Sequence, residues 1–164
     1  MMQYDKNRVI ALLQQKQIDY RMETHAAVYT SEEGHNLCLP GTERVAKNLF
    51  LRDDKKQSYY LLSIEQNKRV NLKELRQKLD SRPLSFGSET ELYCLLGLSK
   101  GSVTPFGVLN DAEHKVQVLL DAFFADGKIG VHPNDNTATV WLQTKDLFLL
   151  LQQYGVAISF MEFI

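Results

Sequence analysis

Arg44-Val-Ala-Lys-Asn-Leu-Phe-Leu-Arg-Asp53 runs into Asp54-Lys-Lys56 and then into Ser58-Tyr-Tyr-Leu-Leu-Ser-Ile64. Two apolar runs of strand length flank a charged tip, which is the pattern of a β-hairpin. Val45 to Arg52 reads as a buried strand, Asp53 to Lys56 as the turn and Ser58 to Ile64 as the returning strand. Lys47 interrupts the first run. It shares strand parity with Val45, Leu49 and Leu51, so its side chain is expected on an apolar face. An ammonium group there needs an anion, a carbonyl or a ligand to offset lost hydration. A lysine at a strand end that snorkels to water is the plainer reading.

Outward from the hairpin, helical spacing and capping residues organise the chain. Asp5 caps a helix over 5–17 with Val9, Leu12, Leu13 and Lys16 in register, and Ile18 to Met22 alternates as a short strand. Thr30-Ser-Glu-Glu33 reads as a capped helix start, with Gly41 closing that segment. Asn71 opens a helix carrying Leu72, Leu75 and Leu79, and Ser81-Arg-Pro83 stops it. Ser88 to Leu96 is a second short helix that exits at Gly97. Lys115 to Leu120 is a strand. Lys128 to His132 and Thr137 to Leu142 form a hairpin about Pro133-Asn-Asp-Asn136. Thr144 to Tyr154 is a helix, and Val156 to Phe160 a final strand. Strands and helices mix without β-α-β-α alternation. The expected class is therefore α+β: one domain over 1–164, with a mixed, mainly antiparallel, barrel-like sheet packed by helices.

Composition bounds the function. The chain has 164 residues, 44% hydrophobic and 24% charged, with a formal charge of −1. These are values of an ordinary globular domain, not of a generally basic nucleic-acid binder. No apolar run reaches membrane-span length, and the N-terminus lacks a signal-peptide core, so a cytoplasmic location is expected. Cys38 and Cys94 are isolated and no C-x-x-C occurs, so neither a zinc site nor a structural disulfide is expected. No phosphate-binding loop of the G-x-x-x-x-G-K type is present. The expectation is no metal, no cofactor, no membrane and no DNA.

Gly101-Ser-Val-Thr-Pro-Phe-Gly107 is the second informative stretch. Glycine permits close approach of the backbone, proline fixes its direction, and the bent main chain can aim N–H groups at a ligand oxygen. Ser102 and Thr104 could add hydroxyl contacts. A plain helix-to-strand turn is the alternative. His132, before Pro133, could serve as acid, base or donor, and Asn136 could meet a ribose hydroxyl or an amine. Both also suit an ordinary polar turn.

Lys47-Asn48-Leu49-Phe50, Gly101-x-x-x-Pro105 and Gly130-Val-His-Pro-Asn-Asp-Asn-Thr-Ala-Thr139, in that order, resemble the YbaK/ProRS-associated editing superfamily. The resemblance covers nearly the whole chain and is closest to the PrdX or ProXp-ala branch. It implies a trans-acting aminoacyl-tRNA deacylase, a carboxylic ester hydrolase acting on mischarged tRNA(Pro), most of all Ala-tRNA(Pro). By the same resemblance, Lys47 orients the terminal adenosine or stabilises the reacting ester, and Gly101 to Pro105 cradle the aminoacyl group. Asn48, His132 and Asn136 line the substrate site. His25, Tyr29, Thr30 and Ser31 lie where the family flanks its amino-acid pocket, although capping explains Thr30 and Ser31 equally well. A Cys- or Ser-tRNA deacylase on the same scaffold, or a non-catalytic amino-acid or tRNA-binding module, stays open.

Arg52 to Arg82 holds nine Lys or Arg against five acids. Arg52, Lys73 and Arg76 are candidate contacts for the tRNA(Pro) acceptor end, through phosphates. A solvated helix face is the competing explanation. Prolyl-tRNA synthetase is a candidate partner.

Overall fold

The computed structural model describes residues 3–27 and 41–164. The segment around Thr30 to Glu33, with Tyr29 and Cys38, lies outside the described residues.

The hairpin forms as its sequence predicts. Strand β2 (Ala46–Asp53) pairs antiparallel with β3 (Tyr59–Glu65), Lys47 opposite Ile64 and Leu51 opposite Tyr60. Its tip is built by Asp53, whose carboxylate accepts from the Gln57 amide at 2.8 Å. All of β3 but its last residue is buried. The reason is its partner on the far side: β5 (Val116–Asp121) pairs with it in parallel, and β8 (Ile158–Met161) pairs in parallel with β5. Strands inside such a sheet are covered on both faces and read as continuous apolar runs.

Parity then sorts the two faces. Phe50, Tyr59, Leu61, Val118 and Leu120 join the main core. Leu51, Tyr60, Leu62, Ile64 and Leu119 pack on the opposite face against Leu75, with Leu49, Leu72 and Leu79 at the margin. Leu75 belongs to α2 (Leu72–Leu79), which Asn71 caps by accepting from the Lys73 and Glu74 amides. The main core is filled by α1 (Lys6–Gln15), α3 (Glu89–Leu96) and α4 (Thr144–Gln153), through Val9, Leu12 and Leu13, Leu92 and Leu96, and Leu147, Leu150 and Leu151. Asp5 caps α1, and Ser88 with Glu91 forms a capping box on α3.

A short strand β4 (Leu84–Phe86) pairs with the far end of β2. Sequence reading passes over it because only three residues pair, next to Pro83, and only Leu84 is even partly buried. A second sheet has β7 (Ala138–Gln143) at its centre, antiparallel to both β1 (Tyr20–Thr24) and β6 (Lys128–Val131). Ile129, Val131, Val140 and Leu142 bring it to the same main core. Among the described residues a single parallel bridge, Val45 with Gly130, pairs the backbones of the two sheets. The architecture is mixed α+β and mainly antiparallel, as the sequence implies. The barrel-like arrangement stays open, because one bridge does not continue the ladder and β1, β4 and β8 are edges among the described strands.

Arg52 of β2, Tyr59 of β3 and Glu91 of α3 meet in one polar network. Arg52 Nε lies 3.0 Å from Glu91 Oε1, and Tyr59 donates its hydroxyl to Glu91 Oε2 at 3.1 Å. Burial pushes the Glu91 carboxyl up, but bonds from the Ser88 amide and hydroxyl, Tyr59 and Arg52 outweigh it and hold the pKa at about 2. A carboxyl depressed on folding stabilises the fold above its unfolded pKa and loses that contribution as pH falls through its folded one. Glu91→Gln is expected to cost about 1–2 kcal/mol at pH 7. Urea melts should show the difference from wild type shrinking between about pH 4.5 and pH 2.

Candidate functional site

The bridge between the sheets decides which side chains share a face. Val45 and Gly130 run in the same direction at the bridge. Two residues further on, Lys47 and His132 therefore emerge on the same side of the junction. The residues of β7 and β1 that turn the same way are Thr139 and Trp141, with Arg21 and Glu23 opposite them in register. Close contact at the bridge depends on Gly130. A Cβ there would lie 2.8 Å from Trp141 Nε1 and 3.0 Å from Val45 Cγ2. The indole is fixed by a 2.8 Å hydrogen bond to the Gly41 carbonyl, and the Arg21 guanidinium stacks 3.8 Å from its ring centroid.

His132 is held to a backbone carbonyl on this face. Its Nδ1 sits 2.7 Å from the Ala138 carbonyl, which can only accept, so Nδ1 carries the proton and Nε2 keeps the lone pair of the neutral ring. Burial lowers its pKa from the usual value. The Ala138 bond and Asp135 oppose that, and His25 adds to it. The His25 ring centre is 6.1 Å away. Its Nδ1 donates to Ala26 O at 2.8 Å, which leaves Nε2 to accept from the Thr139 hydroxyl at 2.9 Å. Thr139 went unread in the sequence. The cue that could have found it was its parity with Trp141, on the face opposite Val140 and Leu142.

The Gly101 loop reaches the same place. Thr104 is fully buried, and its hydroxyl donates to the His132 carbonyl at 2.5 Å. Gly101 takes the left-handed backbone region at φ +90°, Ser102 is buried, and Pro105 opens a short 3-10 turn over Pro105–Asn110. Asn134 ties the β6–β7 turn to this loop, its amide lying 3.4 Å from the Phe106 carbonyl. Asn134 thus makes the turn-to-loop contact, in the same turn as Asn136. Asn136 is half-buried.

Lys47 is held differently. Its ammonium donates to the backbone carbonyl of Lys68. Burial and the neighbouring Arg69 lower its pKa from the usual lysine value, against Glu65. It shares the face of His132, but no hydrogen bond joins it to the loop among the described contacts. Asn48 has the opposite parity. It accepts from the buried Ser63 hydroxyl at 2.5 Å, on the main-core side of β2. Lys73 and Arg76 are exposed on α2, whereas Arg52 faces inward to Glu91 and the Asp53 carbonyl. Thr30 and Ser31 lie outside the described residues. Among the described residues no group of three His, Cys, Asp or Glu could hold a metal, and no helix is long and apolar enough to cross a membrane.

The family model of the aminoacyl-tRNA editing domain matches residues 25–150, which include His25, Lys47, the Gly101 loop, His132, Thr139 and Trp141. The chain belongs to the aminoacyl-tRNA editing domain family. It is 41% identical over 151 residues to the prolyl-tRNA editing protein ProX of Acetoanaerobium sticklandii, covering 92% of each chain. It is 33% identical over 138 residues to prolyl-tRNA synthetase associated domain-containing protein 1 of Mus musculus, covering 80% of each. Among solved structures, one presented as a candidate trans-editing enzyme for prolyl tRNA synthetase superposes with a TM-score of 0.71 at 18% identity, over 99% of both chains. That likeness speaks for the fold.

Two measurements check the geometry. Gly130→Ala forces the indole or Val45 aside and is expected to destabilise the fold by about 1–3 kcal/mol, read as a lower urea midpoint. The His132 ring, followed by NMR, should titrate below a free histidine. Its contribution to stability is present above the unfolded histidine pKa and lost as pH falls through the folded one.

Proposed function

We propose that this protein is a trans-acting hydrolase that removes alanine from mischarged tRNA(Pro). The observation that carries the reading is the face shared by Lys47 and His132 at the Val45–Gly130 bridge, with the Gly101–Pro105 loop bonded to His132 through Thr104. The ProX relative adds the substrate class by its name.

Ester hydrolysis needs donors for the oxyanion that develops on the carbonyl and a placed water. The amides of Ser102, Phe106 and Gly107 are already engaged within the loop. The oxyanion donors are therefore assigned to Gly101, Val103 or Thr104, assisted by the Lys47 ammonium. Neutral His132, with Nδ1–H committed to Ala138, offers Nε2 to a water proton or a ribose hydroxyl. The released alcohol is the tRNA's terminal ribose oxygen, which takes up a proton as the C–O bond breaks. Thr30, Ser31 and Asn136 complete the substrate contacts in this reading, whereas Asn48, bonded to Ser63 on the other side of β2, supports the strand instead. A pocket sized for a methyl group would exclude proline sterically, since attraction alone separates side chains by only about 1–3 kcal/mol per methylene.

The acceptor stem would lie along the exposed basic face of α2, with Lys73 and Arg76 contacting phosphates, while Arg52 turns to Glu91 on the other side of β2. Prolyl-tRNA synthetase is the partner that would deliver the substrate.

A deacylation panel over Ala-, Cys-, Ser- and Pro-tRNA tests the proposal. Wild type should release alanine from Ala-tRNA(Pro) and spare Pro-tRNA(Pro), and Lys47→Ala should lower kcat/KM by about 100-fold or more. Equal rates for wild type and Lys47→Ala would refute the role of Lys47. Preferred release of cysteine or serine would reassign the substrate, and tRNA binding without any turnover would make the protein a binding module.

A further inference from the structure

Lys47 is anchored by main chain, and that main chain has its own anchor. Asp121, at the end of β5, is fully buried. Its carboxylate accepts from three donors: the Glu65 amide at 3.0 Å, the Phe123 amide at 3.1 Å and the Lys68 ammonium at 2.9 Å. Two of these donors belong to the two ends of one turn. The turn closes on itself, with the Lys68 amide bonded to the Glu65 carbonyl at 3.0 Å and the Asn67 amide bonded to the Glu65 carboxylate at 3.1 Å. Gln66 ties it to the Thr42 carbonyl, just before the bridge residue Val45. The Lys68 carbonyl, at the end of this clamped turn, receives the Lys47 ammonium.

We propose that Asp121 and Lys68 are positioning residues for Lys47: their ion pair clamps the 65–68 turn so that the Lys68 carbonyl holds the Lys47 ammonium in its working place. This rests on the functional role proposed for Lys47. The physical case is that a flexible four-carbon side chain has many rotamers, and one fixed acceptor at its tip selects among them. The Lys68 carbonyl can do so only if the turn is itself immobile. A fully buried carboxylate with three donors immobilises it better than an exposed ion pair would. The ion pair touches no reacting atom, so its effect must pass through Lys47.

Lys68→Met is the informative variant. It keeps most of the stem, and the wild-type side chain is 23% exposed, so the fold should survive; a thermal melt checks this. The variant is expected to lose about 10- to 100-fold in kcat with a smaller change in KM, and Lys68→Arg should recover most of it. In a Lys47→Ala background, Lys68→Met should cost nothing further. Independently of turnover, NMR of Cε-labelled lysine, with Lys47 assigned by its loss in Lys47→Ala, should show the Lys47 signal moved and broadened by Lys68→Met. An unchanged Lys47 signal, or an equal loss with and without Lys47, overturns the proposal. Full activity of Lys47→Ala would instead remove the role of Lys47, and the NMR arm would still report whether the clamp holds it.

Discussion

The two sheets share one core, and the close contact of Val45 against Gly130 sets how their edges meet at the candidate site. Without a side chain at position 130, Trp141 and Val45 can approach the β6 backbone together. The parallel bridge then places Lys47 and His132 on one side of the junction. Backbone carbonyls of Lys68 and Ala138 then hold these two residues in place.

The molecule orients its polar groups with neutral acceptors at the site and with charge behind it. His25, His132, Lys47 and Trp141 each donate to a backbone carbonyl. A carbonyl fixes a tautomer or a rotamer without adding a formal charge that would pin the histidines in their protonated form. The strong ion pairs stand one layer back. Asp121 with Lys68 supports the turn behind Lys47, and Glu91 with Arg52 ties α3 to β2. Such pairs stiffen the frame without setting a carboxylate on the His132 ring nitrogens, one of which faces a carbonyl.

Much of the local structure was legible. The hairpin about Asp53, the helices capped by Asp5, Asn71 and Ser88, and the β6–β7 hairpin follow from apolar periodicity and capping chemistry, which act within a few residues. Strand β4 was not legible, since its three residues pair mainly because β2 offers an edge. The site was legible in part. Lys47, the Gly101 loop and His132 were all named from the chain, but the sequence did not disclose that Asn48 faces away from Lys47 toward Ser63, or that Arg52 turns inward to Glu91.

The amino-acid sequence by itself determined most of the described strands and helices, β4 apart, to within a few residues at their ends, and which residues could carry chemistry, because those properties come from side-chain periodicity and local backbone preference. Only the tertiary structure decided that β3 is flanked by β5, that Val45 meets Gly130, and that Thr104, His25 and Thr139 gather around His132. Apart from Thr139, seven residues from His132 on the same hairpin, these partners are separated by tens of residues to more than a hundred. Their meeting depends on strand register and on the space left by a missing Cβ, neither of which is a property of any short stretch of the chain.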